Sequence, residues 1–469
     1  MLRKLKSGPW PMFMLSSFSS VANLYLPIFL ARTLSPEQMG VYKIFFLYLG
    51  AIPFLFLAGG PLNSVYYWAG KPQQERDLYL QQCFLLALLL SLGIMLIGLP
   101  LTTEIANFTN LKDTSIYYLL FGAFVAVPSS FYSETKVALG HTVKGPLFDT
   151  FFESLKVLCF VLLAIYTKDI QNLFIGFCAI FAVKFLISTT LKFKGGHVTL
   201  LPNKVRLKEI WLYCLPISLS GLVTFATDKI DQFVLSAYLA ADQFAFYSMG
   251  CLVVPPLYLI EMSVSRVLIP KLASTDQSES RSKREYFKTA ISDTAVIIIP
   301  AFFGLWIFSE QIVTLLYTDK FIESAKFLKV FAFSYLIFLI PYDAIPRATG
   351  KTKAIFNLAL IFGILSVGLV SIAAINFSAI EVLIVSLIFK FFSRFAGLIY
   401  SSRVMKWKIK DMIPWQPLFK ITITCIFLHT LCSSTRHLFK SDMTWFYFCA
   451  PSFAILYFVI LARKFKQKG

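Results

Sequence analysis

The stretch Pro216–Tyr247 reads PISLSGLVTFATDKIDQFVLSAYLAADQFAFY, and it combines the length of a membrane span with three ionisable residues. Asp228, Lys229 and Asp231 lie near its middle. The eleven Leu, Ile, Val or Phe residues from Leu212 to Leu235 contribute about −5 kcal/mol to insertion, whereas three charges at a helix centre cost about 8 to 10 kcal/mol. Such a helix needs neighbouring helices or a water-filled cavity. An ionisable residue inside a membrane is also a hypothesis of function.

Composition places the whole chain in a membrane. The 469 residues are 57% hydrophobic and 15% charged, whereas a soluble domain carries about 25% charged residues. The net charge of +19 is typical of Lys and Arg collected in cytoplasmic loops against anionic lipid headgroups, and we expect no nucleic-acid partner. The eight Cys form no CxxC pair and the four His share no metal-ligand spacing. We therefore expect no metal and no cofactor.

Apolar windows long enough to cross a bilayer recur along the chain and predict an all-α polytopic membrane protein with about fourteen transmembrane helices. The predicted spans, numbered 1 to 14, are 10–32, 40–62, 78–101, 114–134, 146–167, 170–191, 210–237, 243–265, 289–308, 325–345, 354–376, 379–402, 417–435 and 444–462. The basic N-terminus before span 1 resembles a signal peptide, but no small-residue cleavage site follows. We interpret span 1 as a transmembrane helix.

The distribution of Lys and Arg orients these spans. With the N-terminus inside, most of the Lys and Arg between spans fall in inside segments. The outside segments carry only eight, namely Arg32, Lys112, Lys168, Lys320, Lys326, Lys329, Arg436 and Lys440. Both termini are therefore predicted to be cytoplasmic. Every connecting segment is short, which leaves no room for a soluble catalytic or nucleotide-binding domain, and we predict that the protein is not an enzyme.

The chain contains signs of an internal duplication. Leu239–Tyr247, LAADQFAFY, repeats Leu34–Tyr42, LSPEQMGVY, at an offset of 205 residues. Ala138–Thr142, ALGHT, matches Ala348–Thr352, ATGKT, at an offset of 210 residues. Six helices return the chain to the same side of the membrane, so we predict two parallel six-helix repeats and two additional helices. The predicted domains are 1–209, 210–410 and 411–469.

Several short motifs resemble one family of membrane transporters. Leu34–Tyr42, Gly59–Tyr67 (GGPLNSVYY), the Asp-bearing span 7 and the Ala-x-Gly loops after spans 4 and 10 carry the resemblance. Together they resemble the polysaccharide-biosynthesis, O-antigen (Wzx-type) flippases of the multidrug/oligosaccharidyl-lipid/polysaccharide (MOP) exporter superfamily. The second half departs from the pattern with Ala241 in place of Pro36 and Ala245 in place of Gly40, which weakens any transfer of individual residues.

The resemblance implies a V-shaped, MATE-like pair of six-helix bundles in the bacterial inner membrane. It implies transport of a polyprenyl-pyrophosphate-linked oligosaccharide from the cytoplasmic to the periplasmic leaflet by alternating access, for surface polysaccharide or O-antigen synthesis. The implied partners are this cargo, membrane lipids, H⁺ or Na⁺ as a coupling ion, and glycan polymerase or chain-length proteins.

Two other transport functions stay open. A MATE-type multidrug or cation antiporter is disfavoured because cationic helices repel cationic drugs. A flippase for a cell-wall lipid precursor differs mainly in its substrate, and essentiality of the gene would favour it.

A diphosphate headgroup needs several cations in a wet cavity, and Arg binds it with bidentate geometry. Lys390 and Arg394 share a face of span 12 at i, i+4, and Lys229 lies in span 7. We predict that these three bind the headgroup. The alternative for each is an ion pair with a carboxylate, and Arg394 could also snorkel to the interface. The weaker candidates, at helix ends where cations also act as boundary anchors, are Arg32, Lys43, Arg266 and Arg347.

Two groups of carboxylates complete the candidates. Asp228 and Asp231 at i, i+3 are predicted to couple transport to an ion, because neighbouring carboxylates in a low dielectric hold a proton more readily. The alternative is that they balance the lysines of the cavity. Asp149, Glu153 and Lys156 near the inner end of span 5 are interpreted as an internally paired polar stripe at the edge of the cavity.

Overall fold

The computed structural model describes residues 10–193, 201–273, 280–439 and 441–466, and every regular element among them is helical. The prediction of an all-α protein is therefore confirmed. The described residues divide into two compact units, one up to Ala245 and one from Phe246 onward.

The described part of the first unit contains ten α-helices, one 3-10 turn (Leu99–Leu101) and the start of an eleventh α-helix. They are α1 (Trp10–Thr33), α2 (Pro36–Leu55), α3 (Gly60–Trp68), α4 (Gln73–Gly98), α5 (Thr102–Thr109), α6 (Asp113–Ser129), α7 (Phe131–Ala138), α8 (Lys144–Tyr166), α9 (Ile170–Phe193), α10 (Lys204–Tyr238) and α11 (Ala241–Gly250).

The second unit begins within α11 and contains the remaining helices. They are α12 (Pro255–Ala273), α13 (Ser280–Ile307), α14 (Ser309–Tyr317), α15 (Ser324–Phe331), α16 (Phe333–Leu336), α17 (Ala344–Ala348), α18 (Thr352–Asn376), α19 (Ala379–Met405), α20 (Ile409–Met412), α21 (Trp415–Ser434) and α22 (Asp442–Lys466).

Among the described residues, eleven helices or joined helix pairs are long and apolar enough to cross a membrane, and α11 with α12 makes twelve if that bent pair is one span. The protein is therefore a multi-pass membrane protein, but the predicted count of fourteen is not confirmed. Predicted spans 1 and 5 fall on α1 and α8, which lie outside this set. Four charged residues explain the polarity of α8: Lys144, Asp149, Glu153 and Lys156.

The start of α2 shows why the LSPEQ sequence is informative. Ser35 and Gln38 form a reciprocal capping box, in which the Gln38 N–H donates to Ser35 Oγ (3.2 Å) and the Ser35 N–H donates to Gln38 Oε1 (3.1 Å). Pro36 suits the first turn because its missing N–H would have no intrahelical partner there. The predicted span 40–62 is interrupted after Leu55, where Leu57 has a φ of 58°.

The 35-residue helix α10 belongs to the first unit, since it packs on α2, α3 and α4. It continues through Pro216, so this proline does not end the helix. Its C-terminal end is held by Asn110, whose Nδ2 donates to the carbonyls of Ser236, Ala237 and Leu239 at 3.1 to 3.4 Å. Four unsatisfied carbonyls end every α-helix, and Asn110 supplies an external donor for them.

The two repeated motifs also touch each other within this unit. A Cβ on Gly40 of α2 would overlap the carbonyl of Ala241, the first residue of α11. Only glycine permits this approach of the two backbones. Nearby, the hydroxyls of Tyr48 and Ser236 form a buried hydrogen bond of 3.0 Å, which ties α2 to α10.

The turns after α7 and α17 repeat in detail. Gly140 and Gly350, which are 210 residues apart, have φ values of 83° and 71°. The N–H of the next residue, His141 or Lys351, bonds to the carbonyl five residues earlier at 2.8 Å in both turns. This is the same glycine-dependent helix ending. The predicted domains 1–209, 210–410 and 411–469 describe duplicated segments and not the two compact units, and they stay a prediction.

The two C-terminal helices are built into the core of the second unit. Side chains of α21 and α22 form one apolar cluster with α13, in which Trp445 and Tyr457 are buried. The Trp445 indole N–H donates to the Cys432 carbonyl (2.9 Å), and the Tyr457 hydroxyl donates to the Val296 carbonyl (2.8 Å). Both buried polar tips thus have partners, as aromatic side chains of this kind require.

Candidate functional site

Arg394, the predicted headgroup ligand on α19, forms an ion pair with Glu261 of α12. The two side chains are only 19% and 14% exposed. The guanidinium also lies over the Tyr342 ring, 4.5 Å from its centroid. The structure therefore contains the pairing that the sequence left open as the alternative. Binding of a headgroup by Arg394 stays a prediction.

Packing fixes the position of the Arg394 cluster. A Cβ on Gly397, one turn further along α19, would lie 2.6 Å from the Tyr342 ring. Glycine therefore lets the ring lie close against α19. The Ser401 hydroxyl donates to the carbonyl of Tyr342 at 3.3 Å, which holds the same segment. Lys390 lies one turn before Arg394 on α19 and is half-buried.

The three charges of α10 have different surroundings. Lys229 is half-buried and donates to Gln232 Oε1 at 3.4 Å. Asp228 is exposed, whereas Asp231 is only 2% exposed. The two carboxylates are thus not the equivalent neighbours that their i, i+3 spacing suggests. Ion coupling by Asp228 and Asp231 stays a prediction.

The four weaker cationic candidates lie at helix ends or on partly exposed faces. Arg32 ends α1 and is exposed, and Lys43 of α2 is half-buried. Arg266 is exposed on α12. Arg347 is 55% exposed and pairs with Asp343 one turn earlier at 2.8 Å. Asp343 is only 16% exposed, so the pair joins an exposed cation to a largely buried carboxylate, and binding of the headgroup by Arg347 stays a prediction.

Among the described residues, the most deeply buried cation is not one of the predicted headgroup ligands. Lys184 of α9 is 3% exposed and pairs with Asp149 of α8 at 2.8 Å. Its ammonium lies over the ring of Phe181 at 5.3 Å and near that of Phe148 at 6.0 Å. The available signal was a lone lysine in an otherwise apolar predicted span, which implies a carboxylate partner on another helix.

The polar stripe on α8 is paired only in part within its own helix. Lys156 binds Glu153 at 2.5 Å and donates to Asn23 Oδ1 of α1 at 2.8 Å. The Asn23 amide donates back to Glu153 at 3.1 Å. Asp149 is directed instead to Lys184. The stripe therefore connects α8 with α1 and α9.

Lys184 and Arg394 occupy equivalent positions in the two repeats, because they differ by the same 210 residues as the two glycine turns. Each is a buried cation on the sixth predicted helix of its repeat, and each pairs with a carboxylate on another helix. At this offset of the predicted duplication a cation recurs, whereas the partner carboxylates Asp149 and Glu261 lie on helices that do not correspond.

A cavity of about 280 Å³ lies beside the α8 stripe in the first unit. It is lined by Ser19, Tyr66, Ser133, Glu134, Val137, Pro146, Asp149, Thr150 and Glu153. The Tyr66 hydroxyl donates to Glu134 at 2.6 Å. In the described parts of the chain, no three His, Cys, Asp or Glu residues are placed to hold a metal ion.

Comparison with known proteins places these features in context. The family model described as "Polysaccharide biosynthesis protein" matches residues 29–326. The "Succinoglycan biosynthesis transport protein ExoT" of Rhizobium meliloti (strain 1021) is 24% identical over 371 residues, covering 76% of this chain and 71% of that protein.

Two solved structures are similar over most of their lengths. The lipid II flippase MurJ in an inward closed conformation has a TM-score of 0.73 and 17% identity, covering 97% of this chain and 99% of that one. An inward-facing multidrug resistance MATE family transporter of the MOP superfamily has a TM-score of 0.63 and 16% identity, covering 83% and 94%. At these identities the likeness concerns the fold alone.

Proposed function

The chain belongs to the polysaccharide biosynthesis protein family, and from this premise we propose that it is a flippase for a polyprenyl-pyrophosphate-linked oligosaccharide. The family match over residues 29–326 carries the proposal. The multi-pass fold and the transporter named among its relatives agree with it. In this proposal the protein lies in a bacterial inner membrane with both termini in the cytoplasm and works by alternating access with glycan polymerase or chain-length proteins.

The buried cations support a role in handling an anionic headgroup. A cation enclosed by protein needs a counter-charge in every state, because an unpaired buried charge is strongly destabilising. In this conformation Glu261 supplies that charge to Arg394. A diphosphate brings two or more negative charges and accepts the bidentate hydrogen bonds that a guanidinium offers. We propose that the headgroup exchanges with Glu261 on Arg394 and that Lys390, one turn away on α19, adds further positive charge. Lys229 of the first unit is proposed as a separate contact for the headgroup.

The exposed cations at helix ends have a separate proposed task. Arg32, Lys43, Arg266 and Arg347 would attract the anionic headgroup before and after its passage, a contribution that weakens with salt. Asp228 and Asp231 would couple the cycle to H⁺ or Na⁺ by holding that ion in only one state. Asp231 is the better of the two for this purpose, since an ion held there is enclosed by protein.

The headgroup assignment is tested by removing each cation. In a deletion strain complemented with the gene, Lys390→Ala or Arg394→Ala should abolish surface-glycan display at unchanged expression. Normal display in both variants would contradict the assignment.

Arg394 permits a sharper test because its partner is known. The double variant Arg394→Met/Glu261→Leu removes the pair without leaving a buried charge, so it should fold. A structural role alone predicts normal display, whereas headgroup binding predicts loss of display in folded protein. The matched control is Arg436→Met/Asp442→Leu, which removes a 2.7 Å pair whose side chains are about half exposed, and it should keep display.

The same strains separate the flippase from the antiporter. Loss of the gene should remove surface glycan and cause lipid-linked oligosaccharide to accumulate, with drug susceptibility unchanged. Increased susceptibility to cationic drugs with normal surface glycan would instead support the multidrug antiporter. Failure to obtain the deletion in an otherwise normal strain would favour a cell-wall lipid precursor as the substrate.

A further inference from the structure

The polar cavity of the first unit is the right size for one ring-shaped group. Its volume of about 280 Å³ is roughly ten times the ~30 Å³ that one water molecule occupies, and it lies just below the usual range of ligand pockets. It is therefore too large for a bare ion. It is also too small for a whole oligosaccharide.

Two of the three carboxylates of the cavity are already neutralised. Asp149 pairs with Lys184 at 2.8 Å, and Glu153 pairs with Lys156 at 2.5 Å. Glu134 differs from both, because its described hydrogen bond comes from the Tyr66 hydroxyl, a neutral donor. Among the described residues Glu134 forms no ion pair. The cavity thus presents one negative charge that attracts a cationic donor.

An independent observation points to a hydroxyl-bearing ligand. Ser133 lines the cavity and is only 3% exposed, yet its hydroxyl makes no hydrogen bond with any described residue. The hydroxyl oxygen is not fully enclosed by protein, so a molecule in the cavity can donate to it or accept from it. The hydroxyls of Ser19 and Thr150 also line the cavity, and they are linked to each other at 3.2 Å.

We propose that this cavity binds a single sugar ring that carries a protonated amine, and that it thereby reads one residue of the transported oligosaccharide. The inference rests on the proposed flippase function and narrows its substrate to repeat units with a free amino sugar. Glu134 receives the ammonium group, Ser133 bonds to a ring hydroxyl, and the half-exposed Tyr66 ring covers one face of the sugar.

The second repeat does not reproduce these groups. At the offset of 210 residues, Glu134 corresponds to Ala344, Asp149 to Ala359 and Glu153 to Gly363. The acidity of the cavity is therefore specific to the first repeat. The buried cations occur in both repeats, so they do not explain an acidity that is found only in the first.

Binding of free monosaccharides tests the inference without any transport. The full-length protein in phosphatidylcholine nanodiscs is titrated with glucosamine, N-acetylglucosamine and glucose at about pH 6, where an amine is protonated and an ordinary carboxylate is ionised. We expect glucosamine to bind at least about tenfold more tightly than the other two, the effect of one charge-assisted hydrogen bond. Glu134→Gln should abolish the preference and Glu134→Asp should keep it. Glu323→Gln, at an exposed pair in the second unit, should leave it unchanged.

Three results would overturn the inference. They are equal binding of all three sugars by the wild-type protein, an unchanged preference in Glu134→Gln, and binding of Na⁺ by wild-type protein that binds no glucosamine, which would make the cavity an ion site. The first and third use only the wild-type protein, so misfolding of a variant cannot obscure them. If lipid-linked oligosaccharide is transported while no amine preference is found, the inference fails and the flippase function stands. If nothing lipid-linked is transported, the function itself fails.

Discussion

Removing Asp149 from the Lys184–Asp149 pair should destabilise the protein more than removing Lys184. Lys184 is 3% exposed, whereas the Asp149 side chain is 37% exposed toward the cavity. At 2.8 Å their attraction is about 6 kcal/mol for an effective dielectric constant of about 20, before desolvation is subtracted. Removing Asp149 strands a buried ammonium, whereas removing Lys184 leaves a carboxylate that water can reach.

We therefore expect Asp149→Asn to cost about 3 kcal/mol of unfolding free energy, the lower end for breaking a buried pair. Lys184→Met should cost only about 1 kcal/mol, the scale of one lost hydrogen bond. The double variant should cost about 1 kcal/mol, because Lys184→Met removes the stranded charge from the Asp149→Asn background. Non-additivity of this kind is expected for residues in contact.

The measurement is reversible unfolding of the purified variants in mixed micelles of mild detergent and increasing SDS. Lys326→Met is the control, because its 2.6 Å pair with Glu323 is about half exposed and should contribute at most about 1 kcal/mol. The buried ammonium is not the main source of the cost if Lys184→Met costs as much as Asp149→Asn, or if the double variant costs the sum of the two.

Three further predictions concern the backbone. Gly40→Ala should destabilise the protein and lower its expression, because the added Cβ has no room. Gly50→Ala in the same helix has open space around it and should stabilise the protein by up to about 1 kcal/mol. Thermal unfolding in detergent compares the two variants. Gly140→Ala and Gly350→Ala should each cost about 1 kcal/mol from positive φ alone, and clearly unequal costs would contradict the equivalence of the two turns. Asn110→Ala should cost about 1 to 2 kcal/mol and speed hydrogen exchange at the end of α10; unchanged exchange there would refute the capping role.

Periodicity and capping chemistry make much of the helical structure predictable. Predicted spans 379–402 and 354–376 differ from α19 and α18 by no more than three residues at either end, because each is an apolar run between polar turns. The ALGHT and ATGKT motifs located two turns that share their hydrogen bonds. The interruption near Leu57 was missed, although Gly59, Gly60 and Pro61 directly after it form a turn signal, because the surrounding run is apolar enough to resemble one continuous span.

The partners of the charges were not predictable from spacing. Arg394 and Glu261 are 133 residues apart, and Lys184 and Asp149 lie on different helices, so only the packed structure joins them. The i, i+3 spacing of Asp228 and Asp231 suggested equivalent carboxylates, but tertiary packing buries one and exposes the other. Glu134 attracted no attention in the sequence because its role depends on Tyr66, which is 68 residues away.

Transport of a lipid-linked anionic glycan is tested directly by reconstitution. Purified protein is placed in liposomes whose two leaflets contain a fluorescent polyprenyl-pyrophosphate-linked oligosaccharide with an amino sugar, and an enzyme added outside modifies the accessible glycan. We expect the enzyme to modify nearly all the label with wild-type protein. With the folded Arg394→Met/Glu261→Leu variant it should modify about half, because without transport only the label of the outer leaflet is accessible. Modification of only half the label with wild-type protein would contradict the account.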